Sequence, residues 1–110
     1  MIRKTALSCL LFSSLILTSA AQSVLIIVTN HDEINATGQP TGYYLSEVAH
    51  PWHVFTEAGY EVSFGSPEGG FAPMDPKSFD LEDPVNREFW QTLEAVQTVM
   101  NTHALADVDP

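Results

Sequence analysis

An uninterrupted apolar segment from Ser23 to Val28, with the sequence SVLIIV, constrains the fold more than any other feature of this chain. Polar residues do not alternate with the apolar ones, so a strand formed here has two apolar faces. Strands of that kind are typical of the middle of a parallel sheet, where helices cover both faces. The segment therefore predicts an α/β protein in which this strand is central and buried on both sides.

The residues that follow predict a βαβ unit. After a long polar loop, Thr41 can cap a helix that begins at Gly42 and ends at Ala58-Gly59, where the glycine suits a left-handed cap. Glu61 to Gly65 then has strand character, and a crossover between parallel strands is expected to be right-handed. The predicted apolar stripe of the helix comprises Leu45, Val48, Ala49, Trp52 and Phe55.

A second helix is predicted after a turn-rich stretch, with Asp83 as its cap and Pro84 as its first residue. Residues 104–110 are typical of a lead into a further strand. Only two strands are predicted, so the sheet needs neighbours from further sequence or from another chain, and we favour further sequence. We therefore expect residues 22–110 to be the N-terminal part of an incomplete domain. The apolar face of the second helix is expected to contain Phe89, Leu93, Val96 and Met100.

The first 21 residues have the three parts of a secretory signal. Arg3 and Lys4 precede an apolar run from Ala6 to Leu17, and small residues follow it. We expect residues 1–21 to be removed on export to a periplasmic or extracellular space; the alternative is a buried N-terminal strand or helix. Cys9 lies inside this signal, so the exported part is expected to have no disulfide and no thiol nucleophile.

The charge balance argues against two classes of partner. The chain has 14 acidic and 4 basic residues, and two of the basic residues belong to the predicted signal. An acidic body repels phosphate backbones and anionic lipids, so we expect no nucleic-acid partner and no membrane partner after signal removal. No glycine-rich phosphate loop is present, and we predict no cofactor.

Glu47 is the candidate catalytic residue. It lies beside the apolar stripe of the first helix, and Pro51 four residues later cannot donate to its carbonyl oxygen and is expected to kink the helix. An acid at a bend near the carboxyl end of a parallel sheet can handle protons. Spacing alone favours the alternative, an ordinary surface carboxylate on an amphipathic helix.

Two other groups of polar residues carry weaker hypotheses. Glu47, His50 and His53 have helix-like spacing, but three-residue steps rotate around the axis, so we favour hydrogen-bonded or solvated histidines and predict no metal site. Residues 30–32 follow the first strand at the usual ligand edge of an α/β sheet. They are candidates for substrate contact, although solvated loop residues are the commoner interpretation.

The segment TGYYLSEVAHPW, from Thr41 to Trp52, resembles the PfpI branch of the class I glutamine amidotransferase-like superfamily. The likeness is greatest to its stress chaperones and glutathione-independent glyoxalases, in which Thr-Gly, a glutamate and His-Pro occur in this order. AGYEV at 58–62 and FGSP at 64–67 continue it, and it covers nearly all of 23–110. The resemblance implies a flavodoxin-like three-layer sandwich with a parallel sheet, of which only the first βαβ unit and the following helix are present.

The resemblance also implies a function. Glu47 occupies the position of a glutamate that, in such enzymes, faces a cysteine on a strand-to-helix turn with a histidine beside it. The complete protein would then be a cysteine-dependent glyoxalase, converting methylglyoxal to lactate, or a related hydrolase or deglycase. Its partner would be a small α-oxoaldehyde, and a homodimer is compatible with the family. That turn falls beyond Pro110, so the chain alone is expected to be inactive.

Two other functions stay open at this stage. The first is a non-enzymatic, chaperone-like binding module that keeps the scaffold without the cysteine. The second is a flavodoxin-like domain of unrelated role, in which Glu47 is a surface acid.

Overall fold

The structure is a computed structural model that describes residues 22–110, so the predicted signal peptide at 1–21 lies outside the described residues. The α/β class with a parallel sheet is confirmed. Two single-turn 3-10 helices, Pro76–Ser78 and Leu105–Asp107, lie in the connections. The strands and helices, in chain order, are β1 (Ser23–Ile27), α1 (Leu45–Glu57), β2 (Glu61–Ser66), α2 (Pro84–Gln91), α3 (Leu93–Met100) and β3 (His103–Ala104).

The sheet has the strand order β1-β2-β3, with all neighbours parallel. β1 pairs with β2 from Ser23 opposite Glu61 to Ile27 opposite Gly65. The prediction that β1 is central and buried on both faces is wrong for the described residues: β1 is an edge strand, and Ile27 is 62% exposed. The reason is that, within 22–110, only β2 pairs with β1, while the helical layer covers the face that carries Ile26 and Val28.

The core lies between this covered face and the three helices. Phe89 of α2 is fully buried and contacts two aromatic rings edge-on, Trp52 of α1 at 5.3 Å and Phe64 of β2 at 6.2 Å between centroids. Such edge-to-face pairs stabilise beyond the area that they bury. The other fully or nearly fully buried hydrophobic residues of the helices are Leu45, Val48, Ala49, Ala95 and Val99.

Helix α1 begins three residues later than predicted. Thr41 is not its cap and Gly42 is not helical, because the backbone of Tyr43 pairs with a distant segment: its N–H donates to the Pro73 carbonyl, and its carbonyl accepts from the Asp75 N–H. These groups are therefore not free to enter the helix. The predicted end is confirmed, since Ala58 is the C-cap and Gly59 has a φ of +86°.

The predicted second helix is two helices. Its start is confirmed, because the Asp83 side chain accepts from the N–H groups of Val85 and Asn86. It then breaks at Thr92, whose backbone is extended, and α3 continues in a different phase. The buried residues of α3 are Ala95 and Val99, so the predicted apolar face is wrong at Leu93 and Met100, which are 65% and 47% exposed.

The strand β3 is absent from the sequence prediction. It pairs with the end of β2 over only two residues, and Thr102 just before it exchanges both backbone hydrogen bonds with Gly70. Two residues carry no periodicity, so only the pairing with β2 reveals this strand. Across 22–110, none of the helices has both the length and the apolar character needed to cross a membrane.

Candidate active-site cleft

A cleft of about 490 Å³ opens at the carboxyl end of β1, between the exit of that strand and the amino end of α1. This is the edge where open α/β sheets bind their ligands. Its apolar side comes from the end of β1 and from Val48, and its polar groups come from Thr29, the two tyrosines and one acid. The lining residues are Ile26, Ile27, Val28, Thr29, Gly42, Tyr43, Tyr44, Glu47, Val48 and Pro67.

Within 22–110, Glu47 is the only carboxylate that lines the cleft. It is the third residue of α1, and its N–H donates to the Tyr44 carbonyl at 3.0 Å. The next two residues, Val48 and Ala49, are buried and fix this turn against the sheet. Glu47 itself is exposed, so its carboxylate is accessible to a molecule in the cleft. The helix continues past Pro51, which cannot donate to the Glu47 carbonyl oxygen.

Tyr43 lines the same cleft and also a smaller apolar pocket with Phe71, Trp90 and Met100. The residue is 8% exposed, and burial raises the pKa of its phenol to about 12. A phenol with that pKa stays protonated at neutral pH and can donate a hydrogen bond, but it does not act as a base. The candidate proton acceptor among the described residues of the cleft is the carboxylate of Glu47.

The histidines of α1 contact α2 and do not line the cleft. His50 Nε2 lies 2.7 Å from Asp83 Oδ2, and His53 Nδ1 lies 3.2 Å from Glu88 Oε2. His50 is thus hydrogen-bonded to Asp83, and His53 is paired with Glu88, so each histidine of this predicted set has a partner on the α2 side.

A different set of possible metal ligands lies at the α1–α2 surface. His53, Glu57 and Glu88 place one ligand atom each within 4.8 Å of one another. Both glutamates are exposed, and His53 is already paired with Glu88. Surface acids are often grouped in this way, so this cluster carries no functional assignment.

Asn30 connects two loops. Its Nδ2 donates to the carbonyl oxygens of Gly69 and Phe71 at 3.1 and 3.3 Å, and its Oδ1 accepts from the Glu68 N–H at 2.7 Å. These three hydrogen bonds to the backbone fix the loop after β1 and occupy the side-chain amide, so Asn30 is not free to bind a substrate. Its neighbours His31 and Asp32 are exposed and line a second, smaller cleft of about 300 Å³.

The residues that support the amino end of α1 were missed from the sequence. Ser78 Oγ accepts from the Leu45 N–H at 2.9 Å, and Thr41, predicted as the cap, donates instead to Asp75 Oδ2 at 3.0 Å. Asp75-Pro76 repeats the cap-then-proline pattern of Asp83-Pro84, which is the local signal for the 3-10 turn that carries Ser78.

Comparison with models of protein families finds no match. Comparison with curated proteins finds glyoxalase 3 of Candida albicans, 30% identical over 97 residues. The chain is related to the PfpI-type glyoxalases. The alignment covers 79% of this chain but only 39% of that relative.

Solved structures agree with this relation. Rapid Encystment Protein 24 KDa of Francisella tularensis superposes with a TM-score of 0.72 at 31% identity, covering 80% of this chain and 39% of that one. Glyoxalase III of Candida albicans superposes with a TM-score of 0.67 at 26% identity, covering 81% and 39%. This chain thus matches part of the flavodoxin-like fold of these structures, and it spans about two-fifths of their length.

Proposed function

We propose that this PfpI-type chain contributes the proton-handling carboxylate of a cysteine-dependent glyoxalase that acts on a small α-oxoaldehyde such as methylglyoxal. One observation carries the proposal: among the residues that the structure describes, Glu47 is the only carboxylate lining a cleft at the carboxyl end of β1, in a chain related to glyoxalase 3. The cysteine and histidine that the resemblance implies would be supplied by residues beyond Pro110 of the complete protein.

The reaction assigns Glu47 a defined task. A thiolate adds to the aldehyde carbon of methylglyoxal and forms a hemithioacetal. Glu47 then moves a proton from that carbon to the neighbouring carbonyl carbon through an enediol, which leaves a thioester. Water hydrolyses the thioester to lactate and restores the thiol. The sum is one methylglyoxal plus one water giving one lactate and one proton, with no external oxidant or reductant.

The surroundings of Glu47 suit this task. The cleft carries apolar side chains from the end of β1 and from Val48, which favour the methyl group of the substrate. Proton transfer by a positioned carboxylate contributes about 10² to 10⁴ in rate. Glu47 is held on a helix turn whose next two residues are buried, so its backbone position is well defined.

A chimaera tests the proposal. Residues 22–110 replace the matching segment of Candida albicans glyoxalase 3, and lactate formation from methylglyoxal is measured. We expect turnover by the chimaera and a fall in kcat/KM of at least about a hundredfold in Glu47→Gln. Glu57→Gln is the matched control, because Glu57 is an exposed acid on the same helix outside the cleft, and it should stay within about twofold.

Two results would oppose the proposal. Full turnover by a folded Glu47→Gln chimaera would remove Glu47 from the mechanism. A coding sequence that continues past Pro110 in the same fold, but with another residue in place of the cysteine, would favour a chaperone-like binding module instead. That module would bind unfolded protein without turning over methylglyoxal.

Export is a separate part of the proposal. We propose that residues 1–21 direct the protein out of the cytoplasm, on the basis of the Arg3-Lys4 pair, the apolar run and the small residues after it. Mass spectrometry of the protein recovered from its native cells should show a mature N-terminus near Gln22. An uncleaved N-terminus in the cytoplasmic fraction would contradict this part without affecting the role of Glu47.

A further inference from the structure

The amino end of α1 lacks a cap from its own residue. Tyr44 occupies the cap position and makes no side-chain hydrogen bond to the helix. The first N–H groups of any helix have no partner within the helix and need an acceptor when they are buried. Here the acceptor comes from a segment more than thirty residues away, because Ser78 Oγ accepts from the Leu45 N–H at 2.9 Å in a buried contact.

The Ser78 hydroxyl is fixed in direction. It donates to the Asp75 carbonyl at 2.7 Å, so its lone pairs are directed at Leu45. The Ser78 N–H bonds to the same carbonyl, and the Asp75 side chain caps this short turn by accepting from the Lys77 N–H at 2.9 Å. Ser78 is 6% exposed, so water does not replace it easily as an acceptor.

A second set of contacts holds the same segment to the residues just before α1. The Tyr43 backbone pairs with Pro73 and Asp75 at 2.8 Å on each side, and Thr41 Oγ1 donates to Asp75 Oδ2. Gly42 lies so close that a Cβ on it would stand 2.0 Å from the Pro73 carbonyl oxygen. We name residues 73–78 the clamp, since they bind both the extended residues 41–43 before α1 and the first N–H group of α1.

We propose that the clamp positions Glu47 in the cleft, with Ser78 as the positioning residue; the catalytic consequence rests on the proposed function. Glu47 is two residues after Leu45, in the turn that frays first when a helix start loses its cap. A cap borrowed from the clamp ties this turn to the loop after β2. The Glu47 carboxylate therefore stays in the cleft only while the clamp keeps its hydrogen bonds to the start of α1.

Hydrogen exchange on the chain tests the clamp directly. Mass spectrometry at low micromolar concentration follows peptides covering 43–48 in the wild type, Ser78→Ala and Ser78→Thr. We expect exchange to be about tenfold faster in Ser78→Ala, because loss of a capping hydroxyl shifts the opening equilibrium by about that factor. Ser78→Thr keeps the hydroxyl and should restore slow exchange. Ser46→Ala, a hydroxyl deletion in the same turn, should match the wild type.

A second variant guards against unfolding. Thr41→Val removes only the donor to Asp75 Oδ2 and leaves Ser78 intact, so a smaller acceleration confined to the same peptides is expected. Exchange of 43–48 that is unchanged in both Ser78→Ala and Thr41→Val would overturn the clamp.

The catalytic consequence is measured in the glyoxalase chimaera. Ser78→Ala should lower kcat by about tenfold with KM unchanged, and Ser78→Thr should recover it, because the substrate still binds while the carboxylate is misplaced. Wild-type turnover in Ser78→Ala would overturn the proposal that the clamp positions Glu47. An inactive wild-type chimaera, with exchange still dependent on Ser78, would refute the proposed function and leave the clamp supported.

Discussion

Asp83 shows how one side chain joins two helices. It accepts from the N–H groups of Val85 and Asn86 at the start of α2, and its Oδ2 lies 2.7 Å from His50 Nε2 of α1. The hydrogen bond with His50 holds the pKa of the Asp83 carboxyl below its usual value of 3.8, against a smaller opposing effect of desolvation, and the two amides act in the same direction as His50.

The lowered pKa of Asp83 predicts a pH-dependent contribution to stability. The unfolded state binds the proton more tightly than the folded state, so the contribution is present above pH 3.8 and is lost as the pH falls through the lower folded pKa. Asp83→Asn keeps a capping side chain but removes the charge. We expect the gap in unfolding free energy between wild type and Asp83→Asn to be widest above pH 3.8 and to close in acid. Urea titrations from pH 2 to 7 measure it, and a gap independent of pH would contradict the assignment.

Replacement of two glycines by alanine should lower the free energy of unfolding for two different reasons. A Cβ at Gly42 would stand 2.0 Å from the Pro73 carbonyl oxygen. At Gly59 it would meet no atom of the described residues within 4 Å, and the φ of +86° is the unfavourable feature there. Gly59→Ala should cost about 1 kcal/mol from backbone strain. Gly42→Ala should cost about 3 kcal/mol, because backbone atoms must separate. Denaturant unfolding compares the two, and equal costs would show that the clamp gives way freely.

At the scale of elements, the phase of α3 is the sharpest difference between sequence and structure. A single helix through 84–100 would bury Leu93 and Met100, but the break at Thr92 buries Ala95 and Val99 instead. The Thr92 hydroxyl donates to the Glu88 carbonyl at 2.7 Å, a bond that competes with helical geometry.

Substitutions can test which face of α3 is buried. Val99→Ala removes two buried methyl groups and should lower the free energy of unfolding by about 2 kcal/mol. Leu93→Ser changes a residue that is 65% exposed and should cost less than about 0.5 kcal/mol. A larger loss of unfolding free energy for Leu93→Ser than for Val99→Ala would support a single continuous helix instead.

Elements set by local signals were predictable, and those set by distant pairing were not. The apolar run of β1, the glycine after α1 and the Asp83-Pro84 start of α2 each depend on neighbours in sequence. The start of α1 depends on Pro73 and Asp75, and β3 depends on the end of β2. Local patterns carry no information about such partners.

The candidate site divides in the same way. Glu47 could be selected because the TGYYLSEVAHPW segment resembles a known family and because it follows the first strand of a parallel sheet. The support from Ser78 could not, since a serine in a loop has many local partners and only the fold brings it to Leu45. The histidine pairs with Asp83 and Glu88 likewise need the packing of α1 on α2.

At the scale of the molecule, one face of the sheet and the outer edge of β1 stay accessible within 22–110. Leu25 and Ile27 lie on the face opposite the helices, where Leu105 gives only local cover near Gly65. No second strand pairs with β1 among the residues that the structure describes. An apolar edge strand with unpaired backbone groups is a template for pairing with another chain.

The chain of residues 22–110 by itself should therefore self-associate through β1. Ile27→Lys places a charge on the exposed apolar face of the edge strand, and we expect it to shift the chain toward monomer in sedimentation velocity at equal concentration. Val54→Lys is the matched control: Val54 is 61% exposed, almost the same as Ile27, but it lies on α1, where its carbonyl accepts from the Ala58 N–H. If exposed apolar area alone drove association, both variants would act equally, whereas edge pairing requires that only Ile27→Lys does. A wild-type chain that stays monomeric and unfolds cooperatively would show that β1 needs no further partner. The greater length of the relatives, which are more than twice as long, would then be no argument that the sheet needs another strand beside β1.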